Sequence, residues 1–415
     1  MKTLNTQIRP STLAAVLAGA TLLTAPSASA QVTVANGILT INAPAGGLNS
    51  KIIAGPAPGT VQLLQVPGAR NGQRLSGIRG VRVMSGAGPD NLEFEITQNT
   101  PFEVFADTGA GNSDIKVKWL VPISTSPVNP RVTLRQGAGT KKVWLDFESR
   151  AETVDLDWTV QGSGTGTGEA KALIAFQPGS LRSSADLVFN MGTGVDKLDL
   201  VVDSKSDDLK LGLVSRAAEM VTTQVIANDP GTNLDIAYDV IGTARPNFNE
   251  LLIDSAISNV SIDYLVDGGA QTDEIKFTLN QVAPGNVVSR IDVDAGLGLD
   301  KIEFNVAGQP SALTATGLIQ GGAGNDEIKF MSEWDTTSDL FIAGGDGHDL
   351  LLAEIKGALS STESNPLRLF GGAGNDHLLL KADGGVLGLP PLLDGGTGTD
   401  SVAGPGTILN AEILP

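Results

Sequence analysis

The stretch GGAGNDEIK (321–329) recurs with small variations as GGDGHDLLL (344–352), GGAGNDHLL (371–379) and GGTGTDSVA (395–403). Aligned on their aspartates, Asp326, Asp349, Asp376 and Asp400, the copies stand 23, 27 and 24 residues apart. Self-similarity at such a period marks a chain of stacked units, each touching only its neighbours. Weaker copies continue upstream: GGAQTDEIKF carries Asp273, GLGLDKIEF carries Asp300, GTGVDKLDL carries Asp196, and GAGNSDIKV and GAGPDNLEF (Asp90) are more degenerate still.

Each phrase is followed by a short run with apolar residues at alternate positions. A second such run, VSIDYLV, VVSRIDV, LFIAG or PLRLF, ends just before the next glycine turn. Alternation over short spans bounded by Gly, Pro, Asn or Ser is the signature of strands, so each unit is predicted to hold two strands and two turns. Only SRAAEMVTTQ (215–224) has the propensity of a short helix. The strands can either zigzag as an antiparallel sheet or coil so that each unit lies in register on the last. The charges favour the coil. Glu274, Lys301 and Glu327 alternate in sign, as do Lys276, Glu303 and Lys329, so parallel stacking sets each beside an opposite charge. Ile275, Ile302 and Ile328, with Phe277, Phe304 and Phe330, then share the other face as an inward ladder. The predicted fold is all-β: a parallel β-helix, or β-solenoid, with coils of about 25 residues, two main strands per coil and one stack of Gly-Asp turns. About a dozen coils at about 4.8 Å each make a rod of roughly 60 Å.

Glycines let the turn bend sharply and present carbonyl oxygens, and the aspartate adds a carboxylate. Together they form an all-oxygen donor set suited to Ca²⁺, which needs six or more ligands and so more than one turn. Without metal, the aspartates would simply cap backbone amides. The phrase fits the nonapeptide G-G-x-G-x-D-x-U-x, and the four C-terminal copies resemble the hemolysin-type, or RTX, calcium-binding repeat. That resemblance implies Asp326, Asp349, Asp376 and Asp400 as side-chain ligands. It places backbone oxygens around Gly322, Gly324, Gly345, Gly347, Gly372, Gly374, Gly396 and Gly398, with each ion between one coil and the next and four turns making three sites. The broken turns at Asp90, Asp196 and GAGNSD are expected to be metal-free. One phrase per long coil, rather than phrases in tandem, departs from the family and puts calcium on one edge only. An N-terminal export signal in place of a C-terminal one leaves no toxin or protease role to carry over.

The chain opens with Lys2 and Arg9, the run LAAVLAGATLL and then Ala28-Ser29-Ala30, the order of a secretory signal peptide, expected to span residues 1–30. A cap and first coils are expected over 31–85, coils with degenerate turns over 86–265, and coils with calcium-type turns and a C-terminal cap over 266–415. No later stretch reaches the roughly 20 apolar residues of a membrane span, so no transmembrane anchor is expected. The formal net charge of −18 argues against nucleic acid, and the absence of cysteine rules out disulfide staples. His348 and His377 are too few for zinc and read as solvated surface. The expected function is a secreted calcium-binding solenoid with a structural, adhesive or surface-binding role, facing a glycan or protein of the cell exterior, with the periplasm as the other location. The rival is a calcium-dependent polysaccharide lyase or epimerase on a parallel β-helix. Its strongest support, shared with a glycan-binding reading, is the basic run Arg131, Arg135, Lys141 and Lys142 near Trp144 and Trp158. No P-loop or G-x-S-x-G is present, so no catalytic residue is assigned.

Overall fold

The computed structural model describes residues 30–411 apart from 44–45, 164–165, 217, 228, 310 and 362–364. The expected leader lies outside the described residues except for Ala30. Every described element is a strand, and the strands form two sheets, one of eighteen and one of sixteen. The chain alternates between them: Asn286–Asp294 lies in the first sheet, Lys301–Gly308 in the second and Ala312–Ala323 in the first again. Successive strands of one sheet therefore pair in parallel, coil upon coil, as the predicted β-solenoid requires. Among the described residues antiparallel pairs occur only near the N-terminal end, between Gln31–Ala35 and Ile38–Ala43 and along Asn49–Ala54, Val61–Leu64 and Gln73–Leu75. Folded back this way, the first strands blunt an edge that would otherwise template aggregation.

The register follows the charge pattern. Glu274 faces Lys301 and Lys301 faces Glu327, while Lys276 faces Glu303 and Glu303 faces Lys329. The short ion contacts nevertheless run along the strands, Lys276 to Glu274 at 2.6 Å, Lys301 to Glu303 at 3.9 Å and Lys329 to Glu327. A flexible ammonium on a pleated face reaches the carboxylate two residues away as readily as one on the next coil, so it sits in a lattice of opposite charges. Lys301→Glu is expected to cost at most about 1 kcal/mol. Adding Glu274→Lys and Glu327→Lys should recover most of that loss in denaturant unfolding. A triple variant no more stable than Lys301→Glu alone would show that lateral charge order contributes nothing.

Inside, Ile275, Ile302 and Ile328 are buried one above another. The Phe277 and Phe304 rings stack at 4.1 Å and the Phe304 and Phe330 rings at 5.3 Å, nearly parallel. Tyr264 crosses from the other sheet to meet Phe277 edge-on at 5.2 Å.

The helix weighed over SRAAEMVTTQ does not form. Ser215 and Arg216 end the strand Asp208–Arg216, and Met220–Ala227 is a strand that buries Val221, Thr223 and Val225. Parallel neighbours on both sides outweigh a weak local propensity.

In several coils the two corners are built differently. The first is the glycine turn ahead of the phrase aspartate. At the second, a buried serine accepts the N–H two residues on: Ser149 from Ala151 and Ser204 from Ser206 at 3.2 Å each, Ser255 from Ile257 at 3.1 Å and Ser332 from Trp334 at 3.2 Å. A hydroxyl that folds the chain back locally is a turn device needing no glycine.

Candidate metal centre

The parallel register brings the phrase aspartates into one column along the first corner. Asp273, Asp300, Asp326, Asp349, Asp376 and Asp400 follow one another there, each buried, because the next residue of every phrase pairs with its counterpart on the adjacent coil. Their side chains turn inward. From Asp300 on, each Oδ1 accepts the backbone N–H of the aspartate one coil upstream: Asp300 from Asp273 at 2.7 Å, Asp326 from Asp300 and Asp349 from Asp326 at 2.8 Å, Asp376 from Asp349 and Asp400 from Asp376 at 2.9 Å. To that extent the aspartates act as the amide caps of a metal-free turn. Only one oxygen of each is used in this way, and Oδ2 of Asp273, Asp300, Asp326, Asp349 and Asp376 is buried with no hydrogen-bond partner.

What lies beside that second oxygen can be read at the first glycine of each phrase. The point where a Cβ of Gly321 would stand is 2.6 Å from Asp326 Oδ2 and 2.7 Å from the Gly344 carbonyl oxygen. The same pairing recurs at Gly344, between Asp349 Oδ2 and Gly371 O, and at Gly371, between Asp376 Oδ2 and Gly395 O. It ends at Gly395, where Asn410 O faces Asp400 Oδ2. In each seam a carboxylate oxygen and a carbonyl oxygen converge on a bare glycine. Two acceptors without a donor between them are electrostatically unsatisfied. Burial is the main cause that lifts these carboxyls: Asp349 and Asp273 are pushed up to about 6, Asp300 to about 7, and Asp326 and Asp376 also upward, with neighbouring aspartates adding to the rise for Asp300, Asp349 and Asp376. The oxygens of this donor-poor seam are of the hard kind that calcium takes. Among the described residues no three His, Cys, Asp or Glu side chains gather into a metal-binding group, so an ion here would rely on one carboxylate per coil and on backbone oxygens.

The resemblance places backbone oxygens around the second and fourth glycines, and these same residues set how closely the turns stack. Gly322, Gly345, Gly372 and Gly396 are paired in register, continuing the sheet ladder through the corner. Gly324, Gly347, Gly374 and Gly398 have φ of 148°, 147°, 145° and 142°, and a Cβ on any of them would strike the carbonyl oxygen of the preceding coil's glycine. They permit close stacking, whereas the oxygens opposite Asp Oδ2 belong to the first glycines.

Position five of the phrase makes a second ladder. Asn325 Oδ1 accepts the His348 N–H at 2.8 Å, His348 Nδ1 accepts the Asn375 N–H at 2.8 Å and Asn375 Oδ1 accepts the Thr399 N–H at 2.9 Å. His348 is thus exposed but is a rung between coils rather than merely solvated, while His377 is exposed at the start of its strand. The His348 rung is not visible without the register.

Upstream, the same column holds Asp90, Ser113, Lys141, Gly168, Asp196, Glu219 and Asn247. Asn247 shows what a donor does at this position. Its amide Nδ2 bonds Gly268 O, the first-glycine carbonyl of the next coil, at 2.5 Å and Asp273 Oδ1 at 3.0 Å. The basic run offered for a lyase or a glycan site does not assemble. Arg131 and Arg135 point outward from one sheet and Lys142 and Trp144 from the other, while Lys141 and Trp158 are buried. Arg131 lies 3.9 Å from Asp157, and Lys171 covers the Trp144 ring at 5.1 Å.

No family model matches the chain, and neither the curated proteins nor the solved structures contain a match to it.

Proposed function

We propose that the C-terminal Gly-Asp corner binds calcium in the seams between coils, and that the chain is an exported, calcium-stabilised rod with a structural or surface-binding role. The observation that carries this reading is the repeated meeting of Asp Oδ2 with the next coil's first-glycine carbonyl and no donor between them. Asp326, Asp349 and Asp376, with Gly344, Gly371 and Gly395 contributing carbonyl oxygens, would hold one ion per seam, and Asp400 closes the stack. Calcium bound there supplies positive charge to buried carboxylates and ties neighbouring coils together. Export is supported by the basic, apolar, then small-residue order of the N-terminus and by the acidic composition. A solenoid face of compensated charges suits a spacer or adhesive surface.

Hydrogen exchange with and without chelator tests the metal. Protection after Gly321 should fall without calcium while the coils before Asp273 hold theirs, with half-saturation at about 10⁻⁴ to 10⁻³ M, as extracellular calcium modules show. Asp376→Ala, flanked by intact turns, should reproduce much of the loss. Equal exchange in both conditions across residues 321–405 would remove calcium from the account and leave the phrase a turn.

A further inference from the structure

Lys141 is the one lysine of the described residues with no exposed surface. It occupies the aspartate's place in the phrase: QGAGTK (136–141) aligns with GGAGND (321–326), and Lys141 starts its strand in the same column. A buried ammonium is costly unless paired, and the surrounding sequence makes a channel for it. The next residue of the column is Gly168, and the first position of that coil is Gly162. Neither has a side chain to block the way. The lysine crosses this coil, its Nζ close beside Gly162, to donate to the Met191 carbonyl at 3.0 Å, fifty residues on. Met191 holds the first position of its turn, MGTGVD (191–196), the position that Gly344, Gly371 and Gly395 hold further along.

The correspondence extends to the glycine itself. The point where a Cβ of Gly162 would stand is 2.9 Å from Lys141 Nζ and also abuts Met191 O; at Gly321 the equivalent point meets Asp326 Oδ2 and Gly344 O. Beyond Met191 lies Asp196, buried, with neither oxygen in a hydrogen bond; the Gly168 and Gly194 amides approach it without reaching bonding geometry. Burial pushes its carboxyl up to about 6 against the opposing pull of the Lys141 charge. Glu219, next in the column, adds a further negative charge.

We propose that Lys141 is a tethered cation: its ammonium fills, in the middle of the rod, the seam position that a free cation takes between the C-terminal coils, and so ties the coils of Lys141, Gly168 and Asp196 together without metal. The comparison with the C-terminal seams rests on the calcium reading, but the lysine lock does not. The proposal also makes this seam a latent site for a small primary ammonium or a metal cation once the lysine side chain is removed.

Hydrogen exchange of the full chain, followed in the strands Lys141–Ala151, Gly168–Phe176 and Asp196–Ser204, tests it. Lys141→Met keeps most of the volume and removes the charge, and protection in these strands should fall on the order of 100-fold, the effect of leaving a buried carboxylate without the positive charge near it. Lys141→Gly should lose at least as much and regain protection with n-butylammonium, the missing side chain, but not with tetramethylammonium at equal ionic strength. If Lys141→Gly does not fold, the double variant Lys141→Met, Asp196→Asn decides, since removing both charges should restore most of the protection lost in Lys141→Met. Parent-like exchange in Lys141→Met, equal response to the two ammonium salts, or no recovery in the double variant would each overturn the proposal. The calcium reading is judged separately, by exchange of residues 321–405 under chelator.

Discussion

Phe304→Ala is expected to destabilise the C-terminal half of the rod by about 3–5 kcal/mol, the range for deleting a fully enclosed aromatic. The ring is buried between Phe277 at 4.1 Å and Phe330 at 5.3 Å, nearly parallel to both. In a solenoid the neighbours along the axis cannot move in to fill a gap, because their spacing is set by the sheet hydrogen bonds above and below. The cavity therefore persists, and its cost falls on two coils. Phe330→Ala supplies the comparison, since its partner on the far side is Ala353 and only one ring contact is lost. Denaturant unfolding should rank Phe304→Ala as clearly more damaging. Equal losses would mean that the stacked column contributes no more than ordinary burial.

Gly347→Ala should be comparably harmful for a different reason. Its φ of 147° is one that L side chains rarely adopt, and the added methyl would drive into the Gly324 carbonyl oxygen. Strain alone accounts for about 1–3 kcal/mol, and forced separation of two coils for about 1–3 kcal/mol more. Gly385→Ala separates the two costs. Gly385 also has a positive φ, 84°, yet nothing lies within 4 Å of its would-be Cβ, so only the strain applies. Thermal unfolding in calcium and in chelator should show Gly347→Ala as the worse variant in both. If the two substitutions cost the same, the close approach of successive glycine turns is not what holds the corner together.

The repeat, its parallel register and its inward ladder were legible in the sequence, because a period near 25 residues, strict alternation and sign-alternating charges all have direct geometric meaning. Glu274, Lys301 and Glu327 sit opposite one another as their order implied, and Phe277, Phe304 and Phe330 stack. The serine corner also has a sequence signal: Ser149, Ser204 and Ser255 each stand eight residues after a column residue, Lys141, Asp196 or Asn247. It was hidden because serine is also common on exposed strands and its turn-forming hydrogen bond depends on which face it takes.

The site divides in the same way. That Asp326, Asp349, Asp376 and Asp400 share one edge follows from their spacing alone. Which carbonyl oxygens lie nearest their second carboxylate oxygens does not, because the turn's backbone decides whether a carbonyl points along the stack or into the seam, and here those of Gly344, Gly371 and Gly395 come close. The basic run around Lys141 shows the limit most plainly. Adjacent residues on a strand point to opposite sides, so Lys142 reaches solvent while Lys141 enters the column. Once inside, its partner is Met191, a residue brought within reach only because the coils between them are stacked and two glycines leave the path open.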